Sequence, residues 1–266
     1  MLKQQGICRI LCLGDVVGGP GRRAIGERLP GLRAELTADM VIANGENASG
    51  GIGLTPANFQ ELLAAGVDVV TSGNHIWKYK EMHACLNTHA AALRPANYGD
   101  AVPGKGFGLY SLPDGINAGV LNLIGRVFME PVNCPFQAAD AALSALAGKG
   151  AHFCLVDFHA EASSEKRAMV HYLDGRAAAV LGTHTHVQTA DFRVSPLGTA
   201  GMTDLGMCGV EEDSIIGMDK EVIIKRFVTG LPQSFKLAKG SASLNGAIID
   251  IDAASGKAAA IHPLRG

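Results

Sequence analysis

Ala177-Ala178-Ala179-Val180-Leu181-Gly182-Thr183-His184-Thr185-His186 is an apolar run that breaks at a glycine and then carries two imidazoles two positions apart. Residues 177–181 are too few for a stable helix and end in a glycine turn, so they read as a buried strand. A strand with a tight turn at its end can aim both rings into one crevice, and neutral imidazole is the commonest side-chain ligand for zinc, iron and similar ions. Two close histidines also occur as surface pairs or satisfied core pairs. Partners elsewhere in the chain therefore decide the reading.

Working outward, short apolar runs alternate with helical patterns, as an α/β fold requires. Residues 7–13, 40–43, 67–71 and 153–158 are strand-like, and 106–112 and 119–124 are glycine-punctuated β runs. Helical patterns are expected over 22–36 with an interruption near Pro30, over 55–65, 78–89 and 136–147, and over 163–173. Thr55-Pro56 has the form of a helix start, with Thr55 as cap and Pro56 at the first helical position. A turn is expected at 14–21, and β structure returns at 191–194, 247–251 and 258–262. Two sheets with outer helices accommodate this order. No repeat or Pro/Ser linker divides the chain, so residues 1–266 are expected to form one domain.

The composition narrows the function classes. Hydrophobic residues are 47% and charged ones 18% of 266 residues, enough to build a large core and unlike a disordered chain. Lys and Arg total 23 against 25 Asp and Glu, a formal net charge of −2, so no global basic field invites nucleic acid. A phosphorylated substrate would need local positive charge, which metal ions can supply. The six cysteines form no CxxC pair and sit mostly in apolar runs, as buried reduced thiols. The short N-terminal apolar run lacks the form of a signal peptide and no stretch is long enough to span a bilayer, so a cytoplasmic protein with no membrane partner is expected.

Five predicted strand ends carry the same cargo: Gly14-Asp15, Asn44-Gly45-Glu46-Asn47, Gly73-Asn74-His75, His159-Ala160-Glu161 and Gly182 to His186. Ligand sites of open α/β sheets lie beyond the carboxyl ends of strands, so these turns can share one crevice. Asp15, Glu46, Asn47, Asn74, His159, His184 and His186 offer carboxylate, amide and imidazole donors suited to Zn, Mn or Fe. Seven donors exceed the needs of one ion. Two ions about 3.5–4 Å apart would use them all and leave open positions for water and substrate.

The succession GDVVG at 14–18, NGEN at 44–47, GNH at 73–75, DFHAEA at 157–162 and GTHTH at 182–186 resembles the calcineurin-like metallophosphoesterases. Within them it is similar to the YmdB-like branch of 2′,3′-cyclic nucleotide phosphodiesterases, a likeness that continues through TDLGMCG at 203–209 and LAKG at 237–240. The resemblance implies a four-layer α/β/β/α sandwich with a dinuclear centre. It implies Asp15, Glu46, Asn47 and His186 on one metal, and Glu46, Asn74, His159 and His184 on the other, Glu46 bridging. Iron or manganese is expected first, with zinc admitted. The sequence departs from the wider superfamily at Asp15-Val16-Val17, where Asp-x-His is usual, and at Glu46, where the bridging residue is usually Asp. Asn47 then fills the place of the missing histidine.

The implied reaction is hydrolysis of a small phosphodiester, 2′,3′-cyclic AMP or a related cyclic nucleotide, by a metal-bridging hydroxide. His75 is the candidate general acid for the leaving ribose oxygen. Its competing reading is a histidine that only orients Asn74. Arg22 with the glycines at 18–21 could greet a phosphate or form a plain connection. Glu161, Glu165 and Lys166 could form a network around the ligands or a solvated helix start, and Trp77 could stack on a base or pack. The rival functions are a phosphomonoesterase or RNA nuclease on the same centre, and a non-catalytic metal- or nucleotide-binding regulator. An amidohydrolase-type barrel would place its His-x-His pair near the first strand rather than late. The sequence leaves a homo-oligomer open and names no substrate-binding residue.

Overall fold

A computed structural model of the chain describes residues 3–266. The first half alternates β1 (Ile7–Val16), α1 (Gly18–Leu36), β2 (Met40–Asn44), α2 (Pro56–Ala64), β3 (Val69–Thr71) and α3 (Met82–Thr88). There follow β4 (Phe107–Ser111), β5 (Asn117–Ile124), α4 (Pro135–Gly148), β6 (Phe153–His159), α5 (Ser163–Tyr172) and β7 (Ala179–Thr183). The last part is β8 (Arg193–Val194), β9 (Ala200–Met202), β10 (Met207–Val210), the hairpin β11 (Ser214–Ile215) and β12 (Met218–Asp219), and α6 (Lys220–Thr229). It closes with β13 (Ala242–Leu244), β14 (Gly246–Asp252) and β15 (Ala258–Leu264).

Two sheets form, with helices outside both, giving the four-layer α/β/β/α sandwich. In the first sheet β3, β2 and β1 run parallel, and the other edge of β1 is divided between two neighbours. Residues 7–13 pair antiparallel with β14, and Asp15 and Val16 pair parallel with β10. In the second sheet β5, β6, β7 and β9 run parallel, flanked by antiparallel β4 and β8. The period-2 side-chain alternation of strands sorts β1 between two cores. Ile10 and Cys12 join Met40, Ile42, Leu155 and Leu181 between the sheets, while Leu11 and Leu13 face Ile25, Leu29, Phe59 and Leu62 of the helical layer. On the far side Leu121, Val156 and Phe158 pack under Leu143, Leu146 and Met169. Both faces of these strands are buried, which is why they read as continuous apolar runs.

The turn expected at 14–21 is not there. β1 continues to Val16 and α1 begins at Gly18. The glycines serve close packing instead: a Cβ on Gly14 would fall 2.0 Å from the Gly206 carbonyl oxygen, and one on Gly21 2.1 Å from that of Cys208. Nor does Pro30 interrupt α1, which is continuous across it. Pro30 and Gly26, four residues earlier, are both exposed, so the carbonyl that loses its N–H partner can bond water. The helix expected over 78–89 divides into a short turn at Ile76–Lys78 and α3. Thr55 does cap α2, accepting from the Asn58 N–H at 3.3 Å. No described helix is long and apolar enough to cross a membrane.

Candidate metal centre

The parallel strands of both sheets end at one edge of the sandwich, and all seven candidate ligands gather there. Asp15 lies on β1, paired with Asn44 of β2 on one side and Met207 of β10 on the other. Glu46 and Asn47 follow β2, Asn74 and His75 follow β3, His159 ends β6, and His184 and His186 follow β7. Asp15, Glu46, Asn47, His159 and His186 are buried, and Asn74, His75 and His184 are half-buried.

The geometry joins them in two linked groups. His159 Nε2 stands 3.2 Å from Glu46 Oε1, 3.2 Å from Asn74 Oδ1 and 3.0 Å from His184 Nδ1; Glu46, His159 and His184 could together hold a metal ion. His186 Nε2 is 3.1 Å from the Asn47 amide and 3.8 Å from Asp15 Oδ1. Glu46 links the groups, since its Oε1 also accepts from the Asn47 amide at 3.2 Å. His75 stands beside it, with Nδ1 2.8 Å from Asn47 Oδ1 and 3.1 Å from Glu46 Oε1.

The outer contacts show which ring atoms are free to coordinate. Thr183 Oγ1 donates to Asp157 Oδ1 at 2.7 Å, so its lone pair accepts from His159 Nδ1–H at 3.0 Å. His159 Nε2 is thereby left with a lone pair facing Glu46, Asn74 and His184. In the same way His186 Nδ1–H donates to the Ile216 carbonyl at 3.0 Å and turns Nε2 toward Asp15 and Asn47. Asp15 Oδ1 is buried without a hydrogen-bond partner. Lone pairs converging in a buried space repel unless a cation lies among them. The donor set fits divalent metal.

Electrostatics agree. Burial pushes Asp15 up to about 6, against the pull of His186 and His159. Burial also opposes charge on His159, but the Glu46 carboxylate, with Asp15 and Asp157 behind it, outweighs that and raises it to about 9. His184 is pushed down to about 3, first by burial and then by charge on His159. Glu46, despite burial, is held well below the usual carboxylate range by His159 and His75. The site is built around one positive charge, and a bound cation would displace the proton that stands in for it.

Buried polar groups pin the turns that carry the candidate ligands. Asn44 Oδ1 accepts from Glu46 N–H at 3.1 Å, and Asn44 Nδ2 donates to Asp157 at 3.0 Å. Asn122 on β5 makes two 2.9 Å bonds to the backbone of Ser72. A Cβ on the adjacent Gly73 would fall 2.2 Å from His159 Cδ2 and 2.3 Å from Glu46 Oε2, so glycine is required. His184 and His186 adopt positive φ, 99° and 63°, a strained conformation for residues with a Cβ. They are held there by the His184 N–H donating to Asp15 Oδ2 at 3.0 Å and the Thr185 N–H to Asp204 Oδ2 at 3.1 Å. Asp204 is buried and in turn pairs with buried Lys166 at 2.7 Å.

Asp157, Thr183, Asn122 and Asp204 escaped the sequence reading, because each lies in or beside a strand and only a distant partner reveals its role. The TDLGMCG run containing Asp204 was the one available signal. Other candidates divide. Glu161 reaches His184 Nε2 at 3.1 Å, whereas Glu165 accepts from the backbone N–H groups of Arg126 and Val127. Arg22 binds Glu61 and the Ala48 carbonyl, not the crevice. Trp77 packs edge-on against Tyr98 and His83. The six cysteines are free thiols, Cys134 half-buried and the rest buried.

The family model described as YmdB-like protein matches residues 11–264. The chain is 48% identical to the 2′,3′-cyclic-nucleotide 2′-phosphodiesterase of Bacillus subtilis over 254 residues, 96% of this chain and 95% of that protein. A hypothetical protein from Thermus thermophilus superposes with a TM-score of 0.90 at 44% identity, covering 97% of this chain and 98% of the other. A novel phosphatase from Mycoplasma pneumoniae superposes with a TM-score of 0.91 at 32% identity, covering 100% and 94%.

Proposed function

The chain belongs to the YmdB-like family, and from that membership and the geometry of the strand-end cluster we propose that it hydrolyses 2′,3′-cyclic nucleotides. It is a hydrolase of phosphate esters, of the phosphodiesterase kind. The relative from Bacillus is named for the bond to the 2′ oxygen, and cleavage of that bond is the reading carried over here. One observation carries the proposal: Glu46 Oε1, His184 Nδ1 and Asn74 Oδ1 all lie 3.0–3.2 Å from His159 Nε2, beside the unpartnered Asp15 Oδ1.

Two divalent ions would share this donor set, Asp15, Asn47 and His186 holding one and Asn74, His159 and His184 the other, with Glu46 common to both. Iron or manganese suits these mixed nitrogen and oxygen donors, and zinc is admitted by the same chemistry. The ions would lower the pKa of a water and offset charge on the phosphoryl oxygens. His75, with Nδ1 engaged by Asn47 and Glu46, is left with Nε2 to protonate the departing ribose oxygen. The Nδ1–H bond fixes the orientation of the ring, and the proton passed to the leaving oxygen is one carried on Nε2 while Nδ1 keeps its own.

The test is metal content measured together with hydrolysis of 2′,3′-cyclic AMP before and after chelation, with product identification. About two metals per chain, loss of turnover on chelation and formation of the 3′-phosphate are expected. A metal-loaded protein that leaves the cyclic nucleotide intact refutes the proposal. Faster turnover of p-nitrophenyl phosphate or short RNA would move it to a phosphomonoesterase or nuclease.

A further inference from the structure

The candidate metal centre is the floor of a cavity of about 550 Å³ whose floor residues include Glu46, Asn47, His75, His184 and His186. Its walls come from elsewhere in the chain, chiefly the β11–β12 hairpin, α6 and the segment after α6: Ile216, Met218, Arg226, Phe227 and Phe235. The volume is that of a small-molecule site. None of these five side chains is among the candidate ligands.

Three features show the wall is arranged for a flat apolar ligand. The Arg226 guanidinium lies 4.9 Å from the centre of the Phe235 ring, and no described carboxylate pairs with it. Phe227 is 77% exposed and Phe235 46%, so ring faces stand open to whatever enters. The third feature is strain. Ile216 and Gly217, the two residues between β11 and β12, have φ of 48° and 91°, the pattern of a type I′ hairpin turn that favours Asn at its first position. A β-branched residue with positive φ is an outlier. Its side chain lines the cavity and its carbonyl accepts from the ligand His186 at 3.0 Å. An asparagine would relieve the turn but remove the apolar surface.

We infer that Ile216, Arg226, Phe227 and Phe235 form the site for the nucleobase, a π-faced ring stacked on aromatic and guanidinium surfaces while its phosphate lies at the polar floor. This rests on the proposed cyclic-nucleotide activity. A nucleoside cyclic phosphate has its base at the opposite end of the ribose from the phosphate, and the one cavity is lined both by apolar and aromatic residues and by the carboxylates and imidazoles. Stacking of this kind tolerates any base and favours the larger purine face.

The test compares kcat/KM for 2′,3′-cyclic AMP with that for methyl riboside 2,3-cyclic phosphate, which has no base, in the unmodified protein, Phe227→Ala and Ile216→Asn. The preference for the nucleotide is expected to fall about 10-fold in each variant, within the range for loss of one stacking surface. Ile216→Asn should keep or raise the melting temperature, which separates loss of the wall from loss of the fold. In parallel, equilibrium dialysis with adenosine in excess chelator should show binding by the unmodified protein and at least a 5-fold weakening in both variants. An unchanged preference together with unchanged adenosine binding overturns the inference. If the metal-loaded unmodified protein cleaves neither substrate, the proposed activity fails, and the adenosine measurement still decides the base site.

Discussion

Replacing Thr183 by Val tests how the metal centre is oriented. The two side chains are nearly the same size, and Thr183 is fully buried, so the change leaves no cavity. It removes the hydroxyl that donates to Asp157 Oδ1 at 2.7 Å and accepts from His159 Nδ1 at 3.0 Å. One imidazole N–H and one carboxylate oxygen lose that partner, each worth about 1–3 kcal/mol when buried. Asp157 keeps its bonds from Asn44 and Thr71 on the other oxygen, so a loss of about 2–4 kcal/mol in urea unfolding of the metal-free protein is expected. With Nδ1 unanchored the His159 ring no longer presents Nε2 in one orientation, and metal affinity, measured by competition with a chromophoric chelator, should fall about 10- to 100-fold. Thr71→Val is the control: it removes a bond to the same carboxylate without touching His159 and should lower stability while changing affinity less than about threefold. Equal affinity in the unmodified protein and Thr183→Val, or equal weakening in both variants, would refute the relay.

Asp204→Ala should destabilise by about 3–5 kcal/mol, because it strands the buried Lys166 ammonium. Lys166→Met leaves Asp204 accepting from the backbone of Thr185 and Gly206 and from the Thr185 hydroxyl, so its cost should be the smaller, about 1–3 kcal/mol; chemical denaturation in which Lys166→Met is the worse would invert the argument. Gly73→Ala, whose Cβ would fall 2.2 Å from the His159 ring, should keep a native circular dichroism spectrum but bind less than half the metal of the unmodified protein; full stoichiometry would show that the turn can yield. His75→Ala should retain its metals and lose about 10²- to 10⁴-fold in kcat, and unchanged turnover would remove His75 from the reaction. In the chelated protein His159, at about 9 against an ordinary 6.5, favours the folded state fully below pH 6.5. That stability drains as pH rises through about 9, and melting curves should fall over this window without metal and hold steady with it.

Much of the sandwich was legible because strands buried on both faces write themselves as apolar runs. Residues 40–43, 153–158 and 177–181 differ from β2, β6 and β7 by only a few positions. The glycines were harder. In the sequence, Gly14, Gly18, Gly19 and Gly21 look like a turn; in space Gly14 and Gly21 let the 205–208 backbone press against β1 and α1, a contact from the other end of the chain. The hairpin and α6 went unread although Asp219 caps α6 on the Glu221 and Val222 N–H groups and Gly230 ends it at φ 68°. Their apolar residues lie partly exposed, so no buried stripe announces them.

At the centre, the sequence alone determined which residues could carry the chemistry. Ligand type is a property of single residues, and their delivery at strand ends follows from local periodicity and the chain direction of parallel strands. Only the tertiary structure decided how those residues face one another. His159 owes its orientation to Thr183 and Asp157, the Ser72 turn to Asn122, and the His184–His186 turn to Asp204 and Asp15. The apolar wall of the cavity is likewise folded in from residues 215–235. These partners lie far apart in sequence, 113 positions between Asn44 and Asp157 and 169 between His184 and Asp15. Local pattern does not encode such separations; packing two sheets face to face brings them within hydrogen-bond distance.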